Sequence, residues 1–359
     1  MTPQTFPRLR IKGSGYEIGR QHGAEFAPMI RDNIKVYFGI FAHYADLDAD
    51  AVFSRAQTFI PIIEKFDREL MQEIRGIADG SRCRLEDIVA LNSRTEIMFK
   101  EGVKLKHGEC TSLAATPEAV ANGHTLIGQN WDWMPRIQGN CVMLEIEQAS
   151  KPRVLTFTEA GFVGKIGMNS AGIGLCCNLL VGAQTVPGVP FHLLCRGILN
   201  SASMGDAVGV VFNSQSGACG NFLIGHADGE AIDLENTPKG GDYLYGRSGV
   251  MSHTNHFESR VVVDDQGRKL IPDTILRYCR SGKLLNRENG RIGAGTFQTL
   301  FKDHFNYPAS ICRHRNESLP EPEQLQTNAS FVMDLTDRVM MVCHGSPCQG
   351  EYQAVTFTQ

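Results

Sequence analysis

Gly108-Glu109-Cys110-Thr111-Ser112 marks the point where the texture of this chain changes from helical to strand-rich. Upstream, apolar residues recur at helical spacing; downstream they alternate, and turn dipeptides punctuate them. The thiol at this junction reads as a latent N-terminal nucleophile. A cysteine becomes a catalyst only with a base in hydrogen-bond reach, and no histidine lies within two residues of Cys110. Cutting the chain before Cys110 would supply that base. A freed α-amine has an ordinary pKa of about 7.7 to 8.0, so a useful share is unprotonated near neutral pH. One residue would then hold both nucleophile and base.

Working back from the junction, Ser14-Gly15-Tyr16-Glu17 has the form of a capping box, and Phe26, Ile30, Ile34, Tyr37, Phe41 and Tyr44 follow at helical spacing. One long amphipathic helix is predicted to run to about Ala45. A second starts near Ala51, carries Phe59, Ile63, Phe66, Leu70, Ile74 and Ile77, and stops at Gly80. Leu85 to Met98 reads as a third. All three stripes are read as core packing. Phe99 to His107, with Lys100, Lys104 and Lys106, reads as an exposed crossing that reaches the cut site.

Forward of the junction, Asn122-Gly123 separates Leu113-Ala114-Ala115 from Thr125-Leu126-Ile127, and Asp228-Gly229 separates Phe222-Leu223-Ile224 from Ala231-Ile232-Asp233-Leu234. Both are hairpin signals. Further strands are predicted at Val142 to Ile146, Val154 to Thr158, Lys165 to Met168, Ile173 to Cys177, Phe331 to Leu335 and Val339 to Cys343. Helices are predicted at Phe191 to Leu199, Asp206 to Phe212, Asp273 to Cys279 and Phe297 to Phe305, and a surface loop at Arg315 to Gln326. The fold class is α+β, with two antiparallel sheets and helices packed outside them.

Composition narrows the function classes. The 359 residues are 42% hydrophobic and 21% charged, and the net charge of −4 argues against binding nucleic acid or a membrane surface by electrostatics. Apolar runs such as Ile173 to Val181 fall far short of a membrane span. Met1-Thr2-Pro3-Gln4 lacks the form of a secretory signal and Phe357-Thr358-Gln359 is no peroxisomal address, so the expected location is cytoplasmic. Eleven cysteines without a Cys-x-x-Cys read as reduced, buried thiols. His253, His256, His344, Cys343 and Cys348 supply metal-binding residue types without a closed ligand spacing, so neither metal nor cofactor is expected.

Three companions give Cys110 its context. Gly128-Gln129-Asn130-Trp131-Asp132-Trp133 sets a carboxylate between two indoles, as a pocket wall would. Ser252-His253-Thr254-Asn255-His256 offers an amide donor for an oxyanion, and Tyr307-Pro308-Ala309-Ser310-Ile311-Cys312-Arg313 presents one arginine after an apolar pair. With these segments, Glu17-Ile18-Gly19-Arg20-Gln21-His22-Gly23, Glu73-Ile74-Arg75-Gly76, Leu91-Asn92-Ser93-Arg94-Thr95-Glu96, Gly164-Lys165-Ile166-Gly167 and Asn169-Ser170-Ala171-Gly172 occur in the order and spacing of a known family. The chain resembles the acyl-coenzyme A:6-aminopenicillanic-acid (isopenicillin-N) acyltransferases, a family of autoproteolytic N-terminal-nucleophile hydrolases.

The resemblance implies a four-layer αββα sandwich, a single domain over 1–359, cut between Glu109 and Cys110 into associated fragments 1–109 and 110–359. It implies that Cys110 is both the self-cleavage and the catalytic nucleophile, and that Asn255 is an oxyanion donor. Asp132 and Arg313 would be the charged pair orienting the new amine, and Ser112 a hydroxyl assisting the first cleavage. Trp131, Trp133, Met134 and Phe162 are expected to line an apolar acyl pocket, with Asn178 adding a polar contact. The penicillin-forming enzyme of this family carries glycine before its cysteine; Glu109 stands here. The implied reaction is hydrolysis or transfer of the acyl group of a small N-acylated amine or amide, with a coenzyme A thioester as the alternative donor. A non-catalytic, uncut homologue is the reading from another class.

Overall fold

The computed structural model describes residues 4–99, 110–182, 185–246 and 248–358. Glu109 and residues 100–107 of the expected crossing lie outside the described residues. The first strand, β1 (Arg8–Lys12), leads into α1 (Gly15–Glu25), whose start is the predicted box: the Ser14 hydroxyl accepts from the Glu17 N–H, and the Glu17 carboxylate accepts from the Ser14 N–H. The expected single helix is two, because α1 ends at Phe26 and α2 (Ala27–Ala45) restarts there with Pro28 in its first turn. The second is likewise α3 (Ala49–Phe66) and α4 (Arg68–Ser81), divided at Asp67, whose extended backbone ends one helix and whose carboxylate caps the next. Gly80 is not a stop but lies inside α4, which ends at Arg82 in the left-handed region, φ 58°. The third divides at Ser93 into α5 (Leu85–Asn92) and α6 (Arg94–Met98). Apolar spacing reports which face is buried, and a one-residue break set by caps leaves it little changed.

Glycines bring α1 and α4 together. A Cβ on Gly19 would stand 1.9 Å from the Glu73 carbonyl oxygen, and one on Gly76 would stand 2.2 Å from that of Tyr16. The helical segment is tied to the rest of the chain by buried polar contacts. Asn33 Nδ2 donates to the Ala160 carbonyl at 2.8 Å, Asn92 Nδ2 to that of Gly161 at 2.9 Å, and Arg196 Nη1 donates to Glu73 Oε1 at 2.9 Å.

Past Cys110 come β2 (Thr111–Ala115), β3 (Leu126–Trp133), β4 (Cys141–Glu147), β5 (Val154–Glu159), β6 (Ile166–Asn169) and β7 (Ile173–Leu179). Helices α7 (Phe191–Leu199) and α8 (Met204–Phe212) follow, then β8 (Gly220–His226), β9 (Glu230–Thr237), β10 (Gly240–Leu244) and β11 (Val250–His253). The chain closes with α9 (Gln266–Leu270), α10 (Asp273–Arg287), α11 (Ala294–Leu300), β12 (Gln326–Asp334), β13 (Val339–His344) and β14 (Tyr352–Val355). Both predicted hairpins form, with Gly123 at φ 73° and Gly229 at φ 105° in their turns.

One sheet has eight strands in the order β1-β4-β5-β6-β7-β8-β9-β10, and the other six in the order β11-β2-β3-β12-β13-β14. The expectation of purely antiparallel sheets needs one correction: β1 runs parallel to β4, Arg8 opposite Met143. No local pattern announces a partner so distant in sequence. Strands β2 and β3 pack on β7 and β8, while α7 and α8 cover the outer face of the larger sheet and α10 and α11 that of the smaller. The layers are therefore helix, sheet, sheet, helix. Trp131, Phe157, Phe222 and Phe331 fill the main core, and Leu113, Phe297, Phe301 and Val332 fill a second one under α10 and α11. No helix among the described residues is long and apolar enough to cross a membrane.

Candidate active site

Cys110 stands immediately before β2, buried, at the end of a strand whose two faces lead to different surroundings. Side chains alternate along a strand, so Cys110 and Ser112 share the face toward the larger sheet, and Thr111 faces α10. The contacts agree. Ser112 Oγ donates to Asn178 Oδ1 on β7 at 2.7 Å, while Thr111 Oγ1 accepts from Arg277 Nη1 on α10 at 3.2 Å.

On the inner side, Cys110 lines a cavity of about 20 Å³ together with Arg94, Trp131, Trp133, Lys165 and Phe191. That volume holds about one water. A larger cavity, about 610 Å³, opens among Tyr307, His314, His344 and Glu351 and does not include Cys110. The small one is the cavity that holds the thiol singled out in the sequence. Its wall holds the expected Trp131 and Trp133 beside Met98, Phe99 and Leu179, and adds two cations, Arg94 and Lys165. Lys165 Nζ sits 3.9 Å from the Trp131 ring centre and 3.3 Å from Glu159 Oε1, and the Arg94 guanidinium lies 4.3 Å from the Trp133 ring centre. Trp133 Nε1 donates to Tyr37 Oη at 3.0 Å, and that hydroxyl donates to Glu159 Oε1 at 3.1 Å. Phe162 is one layer further out, packed on Tyr37 and His192, and Met134 lines a separate cavity.

On the outer side, four charges alternate in sign from Asp132 to the backbone of Cys110. Asp132 Oδ2 lies 3.5 Å from Arg313 Nε, an ion pair without a hydrogen bond, and its Oδ1 accepts from Thr327 Oγ1 at 2.6 Å. Arg313 Nη2 donates to Asp273 Oδ2, which also accepts from Arg277 Nε at 2.9 Å. Arg277 Nη1 then donates to the Cys110 carbonyl oxygen at 2.8 Å, and its Nη2 donates to Asn255 Oδ1 at 2.9 Å. Burial pushes the Asp132 carboxyl up to about 6 against the pull of Arg313. Burial also opposes ionisation of Asp273, but Arg313 and Arg277 outweigh it and hold that carboxyl below its ordinary value.

The sequence placed Asp132 between two indoles in a pocket wall. The pleat separates them, since Trp131 and Trp133 face the Cys110 cavity and Asp132 faces Thr327 and Arg313 behind the strand. Asp132 and Arg313 are a pair, as expected, but reach Cys110 through Asp273 and Arg277. Neither of those two was singled out in the sequence. Their i, i+4 spacing reads as an ordinary ion pair on a helix surface. A usable signal was present: the buried positions of α10 are Thr274, Arg277, Ser281 and Leu285, a largely polar stripe where a core-facing helix is normally apolar.

Asn255 follows β11, and its Nδ2 donates to the Leu179 carbonyl at 3.0 Å, where Leu179 is itself part of the cavity wall. Asn178 has Oδ1 occupied by Ser112 and Nδ2 buried with no partner among the described residues. The two histidines flanking Asn255 have other work. His253 Nε2 donates to Glu235 Oε1 at 2.7 Å and Nδ1 to the Thr254 carbonyl at 3.0 Å, so the ring carries both protons. Although burial disfavours that cation, Asp233 and Glu235 raise its pKa to about 9. His256 contacts Thr254 and Thr274 through Nδ1 and Glu258 through Nε2.

Several known proteins resemble this chain. The family model described as acyl-coenzyme A:6-aminopenicillanic acid acyl-transferase matches residues 120–349. The 40 kDa form of acyl-coenzyme A:6-aminopenicillanic-acid-acyltransferase from Emericella nidulans is 31% identical over 353 residues, covering 94% of this chain and 92% of that protein. Among solved structures, penicillin V acylase from Agrobacterium tumefaciens superposes with a TM-score of 0.48 at 13% identity, over 70% of this chain and 87% of its own. A variant of the conjugated bile acid hydrolase from Clostridium perfringens gives a TM-score of 0.48 at 15% identity, over 69% and 97%.

Proposed function

This chain belongs to the acyl-coenzyme A:6-aminopenicillanic acid acyl-transferase family, and from that premise we propose that it is an acyl-transfer enzyme made active by cutting itself between Glu109 and Cys110. In the first reaction the Cys110 thiol loses its proton and attacks the Glu109 carbonyl carbon. The C–N bond then breaks, leaving a thioester on sulfur and a free α-amine on Cys110, and water opens the thioester to a Glu109 carboxylate. In the second reaction that amine takes the thiol proton and the sulfur attacks the amide carbonyl; the C–N bond breaks, the amine leaves with that proton, and water or an acceptor amine then cleaves the thioester and restores the thiol.

The observation that carries this reading is the double contact of Arg277. One guanidinium holds the Cys110 carbonyl oxygen and Asn255 Oδ1, fixing the nucleophile's backbone and turning the Asn255 amide nitrogen toward the cavity wall. The alternating partners behind it keep Arg277 charged and in place, since a buried charge is retained only when it is paired. Ser112, locked onto Asn178, stands two residues after Cys110, on the same face of the strand. The small cavity at the thiol suits a precursor whose substrate site widens once the chain is cut.

Hydrolysis of a small acylated amine is the broader reading. A coenzyme A thioester as donor is favoured by one observation, the 31% identity to the Emericella nidulans acyltransferase across nearly the whole chain. Intact-mass analysis and N-terminal sequencing of the purified protein test the proposal. Two chains are expected, the second beginning at Cys110, and one chain from Cys110→Ala. Parent protein that stays whole yet turns over acyl substrates at full rate would remove self-cleavage from the mechanism.

A further inference from the structure

His304, Cys312, His314 and Cys348 lie outside the site described above, and their ligand atoms all fall within 4.8 Å of one another. His314 Nε2 is the centre of the group, 3.1 Å from His304 Nε2, 3.6 Å from Cys312 Sγ and 3.4 Å from Cys348 Sγ. A ring nitrogen offers one hydrogen or one lone pair in its plane, so hydrogen bonding satisfies only one of these three neighbours. A cation between the four atoms satisfies them all. With metal–nitrogen bonds of about 2.0–2.1 Å and metal–sulfur bonds of about 2.3 Å, tetrahedral ligands stand roughly 3.3 to 3.8 Å apart. The three separations from His314 Nε2 are close to that, and the other three lie within 4.8 Å.

We propose that His304, Cys312, His314 and Cys348 bind one zinc(II) ion as a closed, structural Cys₂His₂ site. The metal is identified by its donors, since two thiolates and two imidazoles in a tetrahedral arrangement suit zinc over the harder divalent ions. On binding, each thiol gives up a proton to solvent, and two thiolates offset the charge of the ion. Both sides of the site are held independently by backbone. The Cys312 N–H donates to the Asp303 carbonyl and the His314 N–H to that of Pro308, while the Gln349 and Gly350 N–H groups close the Cys348 turn on the Ser346 carbonyl. An ion bound here would depart from the expectation of no metal. The sequence hid the site because Cys312-x-His314 is a short pair, while His304 and Cys348 arrive from a loop and from a turn between β13 and β14. The ion would clamp the loop carrying Arg313, which lies between two of its ligands, to the far edge of the smaller sheet.

The test is metal analysis of the full-length protein, purified without chelator and dialysed. About one zinc per chain is expected, falling at least about tenfold in Cys348→Ser and in His304→Ala but not in Cys83→Ser. Stripping the unmutated protein and adding cobalt(II) keeps the test independent of how the variants fold. Intense visible bands of tetrahedral cobalt with a thiolate charge-transfer band in the near ultraviolet are expected. Zinc below about a tenth per chain together with no thiolate–cobalt band would overturn the site. So would a Cys312–Cys348 disulfide in freshly purified protein, because it consumes both sulfur ligands.

Discussion

Arg277 leaves the Asn255 side chain one orientation, with the oxygen on the guanidinium and the nitrogen toward Leu179. An amide so held is a preorganised donor, and such donors act mainly on the transition state. Asn255→Ala should lower kcat by roughly 10²–10³, with a much smaller change in KM, measured on fully cut protein. If that variant stays within about threefold of the parent, Asn178 becomes the donor to test, because its Nδ2 is buried with no partner among the described residues. Asp132 supplies a pH signature. Its carboxyl titrates at about 6 and must be ionised to face Arg313, so the self-cleavage rate should fall as pH drops through about 6. Asp132→Asn should be slow at every pH and lack that limb; an unchanged limb would place the titrating group elsewhere.

At the scale of elements, the α1–α4 pair and the middle of α2 show the same substitution acting in opposite directions. A methyl group on Gly19 would meet the Glu73 carbonyl at 1.9 Å, so Gly19→Ala must push two helices apart and should destabilise by about 1–3 kcal/mol. Gly39 is exposed inside α2, with nothing within 4 Å of an added Cβ. Gly39→Ala should stabilise by about 0.5–1 kcal/mol through helix propensity alone. Urea unfolding in a Cys110→Ala background, expected to remain one chain, measures both. Equal effects at the two positions would contradict the close approach of α1 and α4.

The whole molecule depends on contacts that cross the proposed cut. Fragments 1–109 and 110–359 should co-elute after cleavage, because Tyr37, Asn33, Asn92 and Glu73 all bond to residues of the second fragment and the helical stripes have no other core. Separation of the two on gel filtration without denaturant would show that these contacts do not suffice. Stability should also depend on pH through His253. Its folded pKa of about 9 exceeds the ordinary 6.5, so its stabilising proton is fully effective below about 6.5 and lost as pH rises toward 9. Glu235, lowered below 4.5 despite its burial by the bond to His253, loses its share as pH falls. The melting temperature should therefore decline from pH 6.5 to 9, and His253→Gln should flatten that decline.

Local signals were enough to determine most strands of this protein, the buried faces of its helices and the turns that join its hairpins. The Ser14 capping box, the turns at Gly123 and Gly229 and the alternation of the strands are dictated by neighbours a few residues apart, and those are visible in one dimension. The resemblance at Cys110, Asp132, Asn255 and Arg313 was legible for the same reason, since each sits in a short motif. Three features were decided only by the tertiary structure. They are the parallel pairing of β1 with β4, the face on which Asp132 lies, and the route from Arg313 through Asp273 and Arg277 to Cys110. Each depends on which distant segment packs against a strand. A buried charge is identified by what surrounds it, and for Arg277 those surroundings come from Cys110, Asn255 and Asp273, two of them far away in the chain.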